Sequence, residues 1–252
     1  MSSAQAEGHA LVADDDVRNT TSTENEPLLG GPGDAIQKPD APIVNNLYLG
    51  TGWLALIGLA LLLAIVWSAI FTHPLFPLVS PHPLLQSLGT VTLTLAILIL
   101  QPTSPSNPEA KLLGAKLHAG LQLLSLALFI AGVAVIETNK HVSHGEHFHS
   151  AHGFLGVLTG VLFVIQYVVG VLMWKVPAVF GGEEKARAVW KYHRSSGYVL
   201  LGSVLATVVS AAETDYIKTR LEVKTWVVAL AALLVVSGVF PRLQLNKLRI
   251  RR

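Results

Sequence analysis

Six apolar segments, separated by short stretches rich in proline and polar residues, dominate the chain. They run from about Tyr48 to Ile70, Pro83 to Leu100, Leu112 to Ile136, Ser150 to Met173, Tyr192 to Ala212 and Thr225 to Val239. A helix needs about 20 apolar residues to cross a bilayer, and the sixth segment is near the short end of that range. Because lipid offers the backbone no hydrogen-bond partners, each segment is expected to be helical. The pattern predicts an all-α integral membrane protein with six transmembrane helices in residues 47–241.

Both ends of the chain differ from this apolar middle. Residues 1–46 hold eight of the sixteen acidic residues and are rich in Ser, Asn, Gly and Pro, so we expect a disordered acidic tail. Within it, Glu24–Leu29 (ENEPLL) resembles an acidic dileucine sorting signal, which routes proteins to endosomal, lysosomal or vacuolar membranes. The alternative is that two leucines lie near acidic residues by chance. Residues 242–252 form a basic tail.

The composition supports the membrane assignment and predicts the orientation. Hydrophobic residues make up 51% of the chain and charged residues 13%, whereas soluble domains have about 25% charged residues. Six helices place both termini on one side, which carries twelve basic residues outside the first tail against four on the other side. Basic residues favour the cytosol, so both termini are predicted to be cytosolic. The absence of cysteine excludes disulfides and thiolate metal sites.

One histidine lies near the start of each of the four central helices: His82, His118, His152 and His193. Neighbouring helices alternate in direction, so His82 and His152 share a depth near the non-cytosolic face, and His118 and His193 share one near the cytosol. Two imidazoles from facing helices suit bis-histidine ligation of haem, which transfers electrons. The alternative is that each histidine contacts water or lipid headgroups. A zinc site is disfavoured because the histidines lie at two depths without carboxylates beside them.

Four short motifs, in order, resemble those of the cytochrome b561 family. They are His82-Pro83-Leu84-Leu85, Lys116-Leu117-His118, His149 to Gly156 (HSAHGFLG), and Tyr192-His193 with Gly197. The resemblance covers about Leu54 to Phe240. It implies a four-helix di-haem core of helices two to five, flanked by helices one and six, with two haem b groups. It also implies that His82 and His152 hold the non-cytosolic haem, and that His118 and His193 hold the cytosolic haem.

The same resemblance implies a transmembrane reductase that passes electrons from cytosolic ascorbate to monodehydroascorbate or ferric iron on the other side. Lys116 and Arg187 match positions at which family members hold the anionic donor, and Lys111 is a weaker neighbour. Cations beside a haem attract such a donor, but the same residues could serve only to set the orientation. That simpler interpretation is preferred for Lys185, Lys191 and Arg194. Gly153 and Phe154 depart from the family pattern, so another small cytosolic reductant stays an alternative.

A histidine-rich segment, residues 137–149, joins the third and fourth helices on the non-cytosolic side. It contains four histidines that could capture a metal ion, such as the iron to be reduced: His141, His144, His147 and His149. The alternative is a solvated loop whose histidines share no geometry.

This segment also suggests a second class of function, a divalent-metal transporter or metal-handling membrane protein. A third is a structural six-helix protein that has lost haem. The middles of the helices carry uncharged polar residues such as Gln122 and Gln166, which suit helix–helix hydrogen bonds better than an ion pathway. The expected partners are membrane lipid and a small-molecule donor and acceptor, not nucleic acid. A homodimer is left open.

Overall fold

The computed structural model describes residues 35–38 and 41–244. Over this range the chain forms six α-helices joined by turns and by short 3-10 or π-helical segments. The helices are α1 (Gly52–Phe71), α2 (Pro81–Leu100), α3 (Pro108–Ser143), α4 (Ala151–Lys175), α5 (Glu183–Ala211) and α6 (Thr225–Val239). The short segments are Ile43–Leu47, Pro177–Phe180, Ile217–Leu221 and Phe240–Arg242. The described residues contain no β-strand, so the prediction of an all-α protein is confirmed.

Five of the six helices are long and apolar enough to cross a membrane: α1, α2, α3, α4, and α6 with the turn that follows it. The helix α5 differs because it begins at Glu183 instead of near Tyr192. Its first turns therefore carry charged residues (EEKARAVWKYHR). Five of the six predicted spans thus correspond to helices of sufficient length and apolarity, and the span of α5 stays a prediction.

The helix α3 extends well beyond the apolar segment that predicts it. It has 36 residues and is therefore about 54 Å long, whereas the hydrocarbon core of a bilayer is about 30 Å thick. Its start is fixed by Asn107, whose side-chain oxygen accepts a hydrogen bond from the amide of Ala110 at 3.0 Å. It ends where His144 adopts a left-handed backbone, with φ of 53°. The boundaries predicted at Leu112 and Ile136 are wrong because the caps lie outside the apolar run.

The six helices pack mainly as three antiparallel pairs: α1 with α6, α2 with α3, and α4 with α5. In the first pair the backbones approach closely, since a Cβ on Gly58 would lie 2.7 Å from the carbonyl oxygen of Ala231. The pairs α2–α3 and α4–α5 make much less contact with each other than within themselves. The four central helices thus form two tight pairs that face each other.

The apolar core lies among α1, α2, α5 and α6. Its most buried members, each at most 3% exposed, include Leu59, Leu93, Leu98, Leu201 and Val235. In contrast, α3 and α4 present exposed apolar side chains, among them Leu123, Ile130, Val161 and Ile165. Exposed apolar faces are what a lipid environment accepts on a spanning helix, because the helix satisfies its own backbone.

The inner ends of both tails are more ordered than the sequence predicts. Ile43–Leu47 forms a 3-10 helix in which Asn46 is fully buried, although residues 1–46 are expected to be disordered. Arg242, assigned by the sequence to the basic tail, is 1% exposed. Helix ends leave carbonyls without partners, and both side chains supply donors there. We call the end of the bundle that holds Ile43–Leu47 and Arg242 the termini face.

The remaining predictions about the tails concern residues outside the described ranges. These are the dileucine-like motif Glu24–Leu29 and the basic residues from Lys247 to Arg252.

Candidate functional site

Two of the four histidines meet at the face opposite the termini face. His82 lies in the first turn of α2 and His152 in the first turn of α4, and their ring centres are 6.0 Å apart with planes at 83°. Pro81 occupies the first position of α2. Ser150 caps α4, because its hydroxyl oxygen accepts a hydrogen bond from the amide of Gly153 at 3.2 Å. The structure therefore brings together the two histidines that the sequence places at one depth.

Backbone carbonyls of the neighbouring helices orient both of these imidazoles. His82 Nδ1 donates a hydrogen bond to the carbonyl of Gly132 in α3 at 2.9 Å. His152 Nδ1 donates to the carbonyl of Thr207 in α5 at 3.0 Å. A proton on Nδ1 leaves the lone pair of Nε2 free, which is the arrangement of metal-bound histidines. Both Nε2 atoms are thus prepared for an iron ion.

The other two histidines lie toward the termini face. His118 Nδ1 donates to the carbonyl of Ala96 in α2 at 2.9 Å. The ring of His193 packs against Gly170 of α4, where a Cβ would lie 2.8 Å from ring atom Cε1. Gln166 Nε2 donates to the backbone carbonyl of His193 at 2.6 Å, so this glutamine makes the helix–helix hydrogen bond that the sequence predicts.

The contacts of the histidines place the two sites at opposite ends of the central helices. Ala96, the partner of His118, follows His82 by 14 residues on α2, which is about 21 Å of helix. Gly170, the neighbour of His193, follows His152 by 18 residues on α4, which is about 27 Å. Both helices therefore carry one site near each end.

The site opposite the termini face fits a six-coordinate haem iron. Metal–nitrogen bonds to histidine are about 2 Å long, so imidazoles on opposite sides of one ion have ring centres roughly 6 Å apart. The His82–His152 separation of 6.0 Å agrees with this. One turn after His152, a Cβ on Gly156 would meet nothing nearer than a methyl group of Thr207 at 3.8 Å. Gly156 itself has no side chain, so this face of α4 stays clear for the approach of a flat ring system.

The site at the termini face also has features of a ligand site. Within the described structure, Nδ1 of His193 is buried without a hydrogen-bond partner, so packing against Gly170, rather than a hydrogen bond, holds this ring. The partner imidazole, His118, is anchored through Nδ1 in the same way as His82 and His152. Nitrogen donors of these two residues could hold a second haem.

An aromatic layer fills the interior between the two sites. The ring centres of Phe129 in α3 and Phe163 in α4 are 5.7 Å apart, and the rings are nearly perpendicular, with an interplanar angle of 77°. Phe129 packs on Gly89 of α2, which lies seven residues from both His82 and Ala96. An apolar layer at mid-depth thus separates the two histidine sites and opposes an ion pathway.

The two predicted donor-binding cations lie at the termini face. Lys116 is exposed, two residues before His118. Arg187 forms an ion pair with Glu183, one turn earlier on α5, at 3.2 Å, and both side chains are well exposed. Exposed ion pairs contribute at most about 1 kcal/mol, so this pair can open to admit an anion.

A second group of cations surrounds Trp190 at the same face. Lys111 of α3 and Arg194 of α5 each lie 5.9 Å from the centre of the indole ring. Sequence reasoning gave Lys111 a minor role and Arg194 none. The signal it missed is the i,i+4 spacing of Trp190 and Arg194, which places both on one face of α5.

The histidine-rich segment does not gather its imidazoles. The helix α3 continues past His141, so the predicted connection is partly helical. His147 Nδ1 lies 3.1 Å from the carboxylate of Glu137, an exposed pair. No three metal-binding side chains cluster anywhere in residues 35–38 and 41–244. Within the described residues, the structure thus does not bring together His141, His144, His147 and His149.

Sequence reasoning also missed a buried polar cluster at the termini face, formed by Asn46, Gln101, Tyr198 and Arg242. Arg242 Nη2 donates to the carbonyls of Asn46 (2.6 Å) and Leu98 (3.2 Å). Gln101 Nε2 donates to the hydroxyl of Tyr198 at 2.9 Å. In the sequence, only the position of Arg242 directly after the sixth apolar segment distinguishes it from the residues of the basic tail.

Comparison with known proteins gives curated relatives of this chain. The plasma membrane ascorbate-dependent reductase CYBRD1 of Mus musculus is 29% identical over 127 residues, which is 50% of this chain and 43% of the relative. The lysosomal membrane ascorbate-dependent ferrireductase CYB561A3 is 29% identical over 96 residues in Danio rerio and 33% identical over 97 residues in Mus musculus. These two alignments cover 38% of this chain and 39% and 40% of the relatives. The matched part spans less than half the length of each relative.

No solved structure matches the chain. Residues 81–218 match the family described as eukaryotic cytochrome b561. This range is more than half of the chain, and it contains all four histidines of the two sites: His82, His118, His152 and His193. Haem b is the cofactor that this cytochrome designation implies. On these grounds the chain belongs to the eukaryotic cytochrome b561 family.

Proposed function

We propose that this protein is a transmembrane oxidoreductase with two haem b groups. It passes electrons from an ascorbate-like cytosolic reductant to monodehydroascorbate or ferric iron on the other side of the membrane. The observation that carries the proposal is the His82–His152 pair, whose ring centres are 6.0 Å apart and whose Nδ1 atoms are both held by carbonyls. Ascorbate as donor and ferric iron as acceptor are supported by the names of the relatives.

In this proposal His82 and His152 would hold the non-cytosolic haem, and His118 and His193 would hold the cytosolic haem. Each pair takes one histidine from α2–α3 and one from α4–α5. These two helix pairs make little direct contact, so haem binding would join the halves of the core. Haem loss is therefore expected to loosen the bundle as well as abolish electron transfer.

The proposed orientation has six spans, with α5 among them and both termini in the cytosol. The later part of α5 supports this, because Leu200, Leu201 and Val204 are buried in the apolar core. The excess of basic residues at the termini face supports a cytosolic assignment for that face.

Each haem, when bound, supplies a one-electron carrier whose iron has no open position for another ligand. The residues of the chain supply the surroundings. Carbonyls of Gly132, Thr207 and Ala96 fix the orientation of three imidazoles. Phe129 and Phe163 keep the middle of the bundle apolar, so the charge that moves through the protein is the electron.

The cations at the termini face form the proposed donor site. Lys111 and Arg194 share Trp190, and Lys116 is exposed close to His118. Cations grouped at a low-dielectric surface raise the local concentration of an anionic donor and its rate of association. Arg187 joins this site when its pair with Glu183 opens.

The proposed location is an endosomal, lysosomal or vacuolar membrane. The Glu24–Leu29 motif supports it, as does the lysosomal assignment in the name of one group of relatives.

The function is tested by a reduced-minus-oxidised visible spectrum of the purified protein, with ascorbate and then dithionite as reductants. We expect a b-type band and about two haems per chain. His118→Ala or His193→Ala should remove the cytosolic haem and leave the other, and His82→Ala should do the reverse. His141→Ala, an exposed histidine outside both sites, is the matched control and should retain both haems. A colourless, well-folded preparation supplied with haem would refute the proposal, and complete loss from every single variant would refute two separate sites.

A further inference from the structure

The structure contains a buried positive charge that the proposed electron path does not use. Arg242, in the turn after α6, is 1% exposed. Its Nη2 donates to two carbonyls, whereas Nε and Nη1 are buried without hydrogen-bond partners. Among residues 35–38 and 41–244, no carboxylate lies within 4.0 Å of the guanidinium. No ion pair therefore neutralises this charge in the described part of the chain.

The surroundings explain why a cation is tolerated there. An arginine side chain stays protonated in proteins, so it must be stabilised as a cation. Arg242 follows the C-terminus of α6, and its two carbonyl partners, Leu98 and Asn46, lie in the last turn of α2 and in the 3-10 helix Ile43–Leu47. The C-terminal ends of helices carry partial negative charge. Converging helix ends thus hold the guanidinium in one place.

Arg242 lies at the depth of the cytosolic histidine pair. Leu98, its partner, is two residues after Ala96, whose carbonyl orients His118; that is about 3 Å along α2. On α5, Tyr198 of the same polar cluster is five residues, or about 7.5 Å, after His193. His82 is sixteen residues from Leu98, or about 24 Å along α2. The charge is therefore much closer to one proposed haem than to the other.

We propose that Arg242 raises the reduction potential of the cytosolic haem relative to the other haem. The inference rests on the two-haem function proposed above. In the step concerned, the ascorbate-like donor loses one electron and one proton, and the electron converts ferric to ferrous iron. Reduction removes one positive charge from the haem site, so a fixed cation nearby favours the reduced form. The cytosolic haem thereby becomes a better acceptor for the donor.

The size of the effect follows from Coulomb's law. We take the guanidinium and the cytosolic iron to be on the order of 12 Å apart, because the carbonyls that bind Arg242 and His118 are two residues apart on α2. At the effective dielectric constant of about 20 that suits protein sites, unit charges at that distance change an equilibrium constant about tenfold. For a one-electron couple a tenfold change corresponds to about 59 mV. At the more distant haem the change is smaller, because the interaction weakens with distance and solvent screens it further.

The inference is tested by a redox titration of the full-length, haem-loaded protein, followed by its visible spectrum. Arg242→Gln removes the charge but retains an amide donor, and Arg242→Lys retains the charge without the planar guanidinium. Lys175→Gln, which removes an exposed cation at the end of α4, is the control for overall charge. The wave that disappears in His118→Ala identifies the cytosolic haem.

We expect Arg242→Gln to lower the reduction potential of the cytosolic haem by about 59 mV, which is a tenfold smaller equilibrium constant for its reduction. The potentials of Arg242→Lys and Lys175→Gln should stay near that of the wild type. The inference would be overturned if neither haem changed its potential, or if both changed equally. It would also be overturned if Arg242→Lys shifted the potential as much as Arg242→Gln. If Arg242→Gln fails to bind haem, Asn46→Asp is the second variant, because it adds a carboxylate to the residue whose backbone carbonyl accepts a hydrogen bond from the guanidinium. It should lower the potential of the cytosolic haem, and an unchanged potential would overturn the inference. A wild type without b-type absorption would overturn the function itself, which distinguishes the two failures.

Discussion

Gly170→Ala should weaken binding of the cytosolic haem and spare the other. A Cβ at this position would lie 2.8 Å from Cε1 of His193, whereas carbon atoms in contact are normally about 3.5–4.0 Å apart. The imidazole must therefore retreat by about 0.7–1.2 Å. A binding constellation tolerates displacements of only about 0.5 Å, so the retreat is too large for an axial ligand.

The expected size of this defect comes from the cost of over-packing, which is about 1–3 kcal/mol. Without haem the His193 ring can rotate away, so the strain is expected mainly when an iron ion fixes the ring. A loss of 1–3 kcal/mol in binding corresponds to about 5- to 160-fold weaker haem affinity at this site. Without haem, the fold of the variant should be nearly as stable as that of the wild type without haem.

Gly160→Ala provides the matched control on the same helix. A Cβ at Gly160 would meet no atom within 4 Å, and alanine favours a helix by about 1 kcal/mol over glycine. The assay is haem content per chain during haem titration, together with redox waves and thermal unfolding. Retention of both haems at wild-type affinity in Gly170→Ala would refute the reasoning, as would equal haem loss in both variants.

Three further predictions concern other parts of the molecule. Arg194→Ala should raise the KM for ascorbate about two- to fivefold without changing haem content, because a pair of opposite charges at a surface contributes at most about 1 kcal/mol. An unchanged KM would show that Arg194 does not help to bind the donor. The hydrogen bond from Lys218 lowers the pKa of the Glu213 carboxyl from 4.5, so the pair stabilises the fold above that value and loses its effect as pH falls through the lowered pKa. Thermal unfolding of Glu213→Gln should therefore depend less on pH below about 4.5, and identical pH profiles would contradict this. Replacement of the Leu28–Leu29 pair by alanine should move the protein to the cell surface in imaging, and an unaltered distribution would dismiss the sorting signal.

The helical architecture could be predicted from the sequence because lipid leaves the backbone few choices. The starts of α2 and α4 lie within about two residues of the predicted segments, which begin at Pro83 and Ser150. In the structure, Pro81 and Ser150 are typical residues of helix starts. Because neighbouring helices alternate in direction, the sequence predicts that His82 and His152 lie at one depth, and the structure places their ring centres 6.0 Å apart. Alternation of helix direction was sufficient for this part of the site.

The parts that could not be predicted depend on which helix ends meet in space. Arg242 was read as one of many basic residues near the C-terminus, because nothing local shows that the ends of α2 and α6 converge on it. Hydropathy likewise could not set the ends of α3, which depend on the cap at Asn107 and the left-handed residue at His144. The cations around Trp190 come from two helices, so their grouping appears only in the folded chain.

Three imidazoles take their orientation from main-chain oxygens, at Gly132, Thr207 and Ala96. A main-chain oxygen is present whatever side chain its residue carries. Alanine scanning at Thr207 would therefore leave the oxygen that holds His152 in place, and the position could vary among relatives without losing this interaction. The hydrogen bonds that orient these three imidazoles are thus largely invisible to mutagenesis of single side chains, and to any search for invariant residues. Amide-to-ester replacement of the peptide units at these three positions, which weakens the carbonyl as an acceptor, is the kind of change that would reveal it.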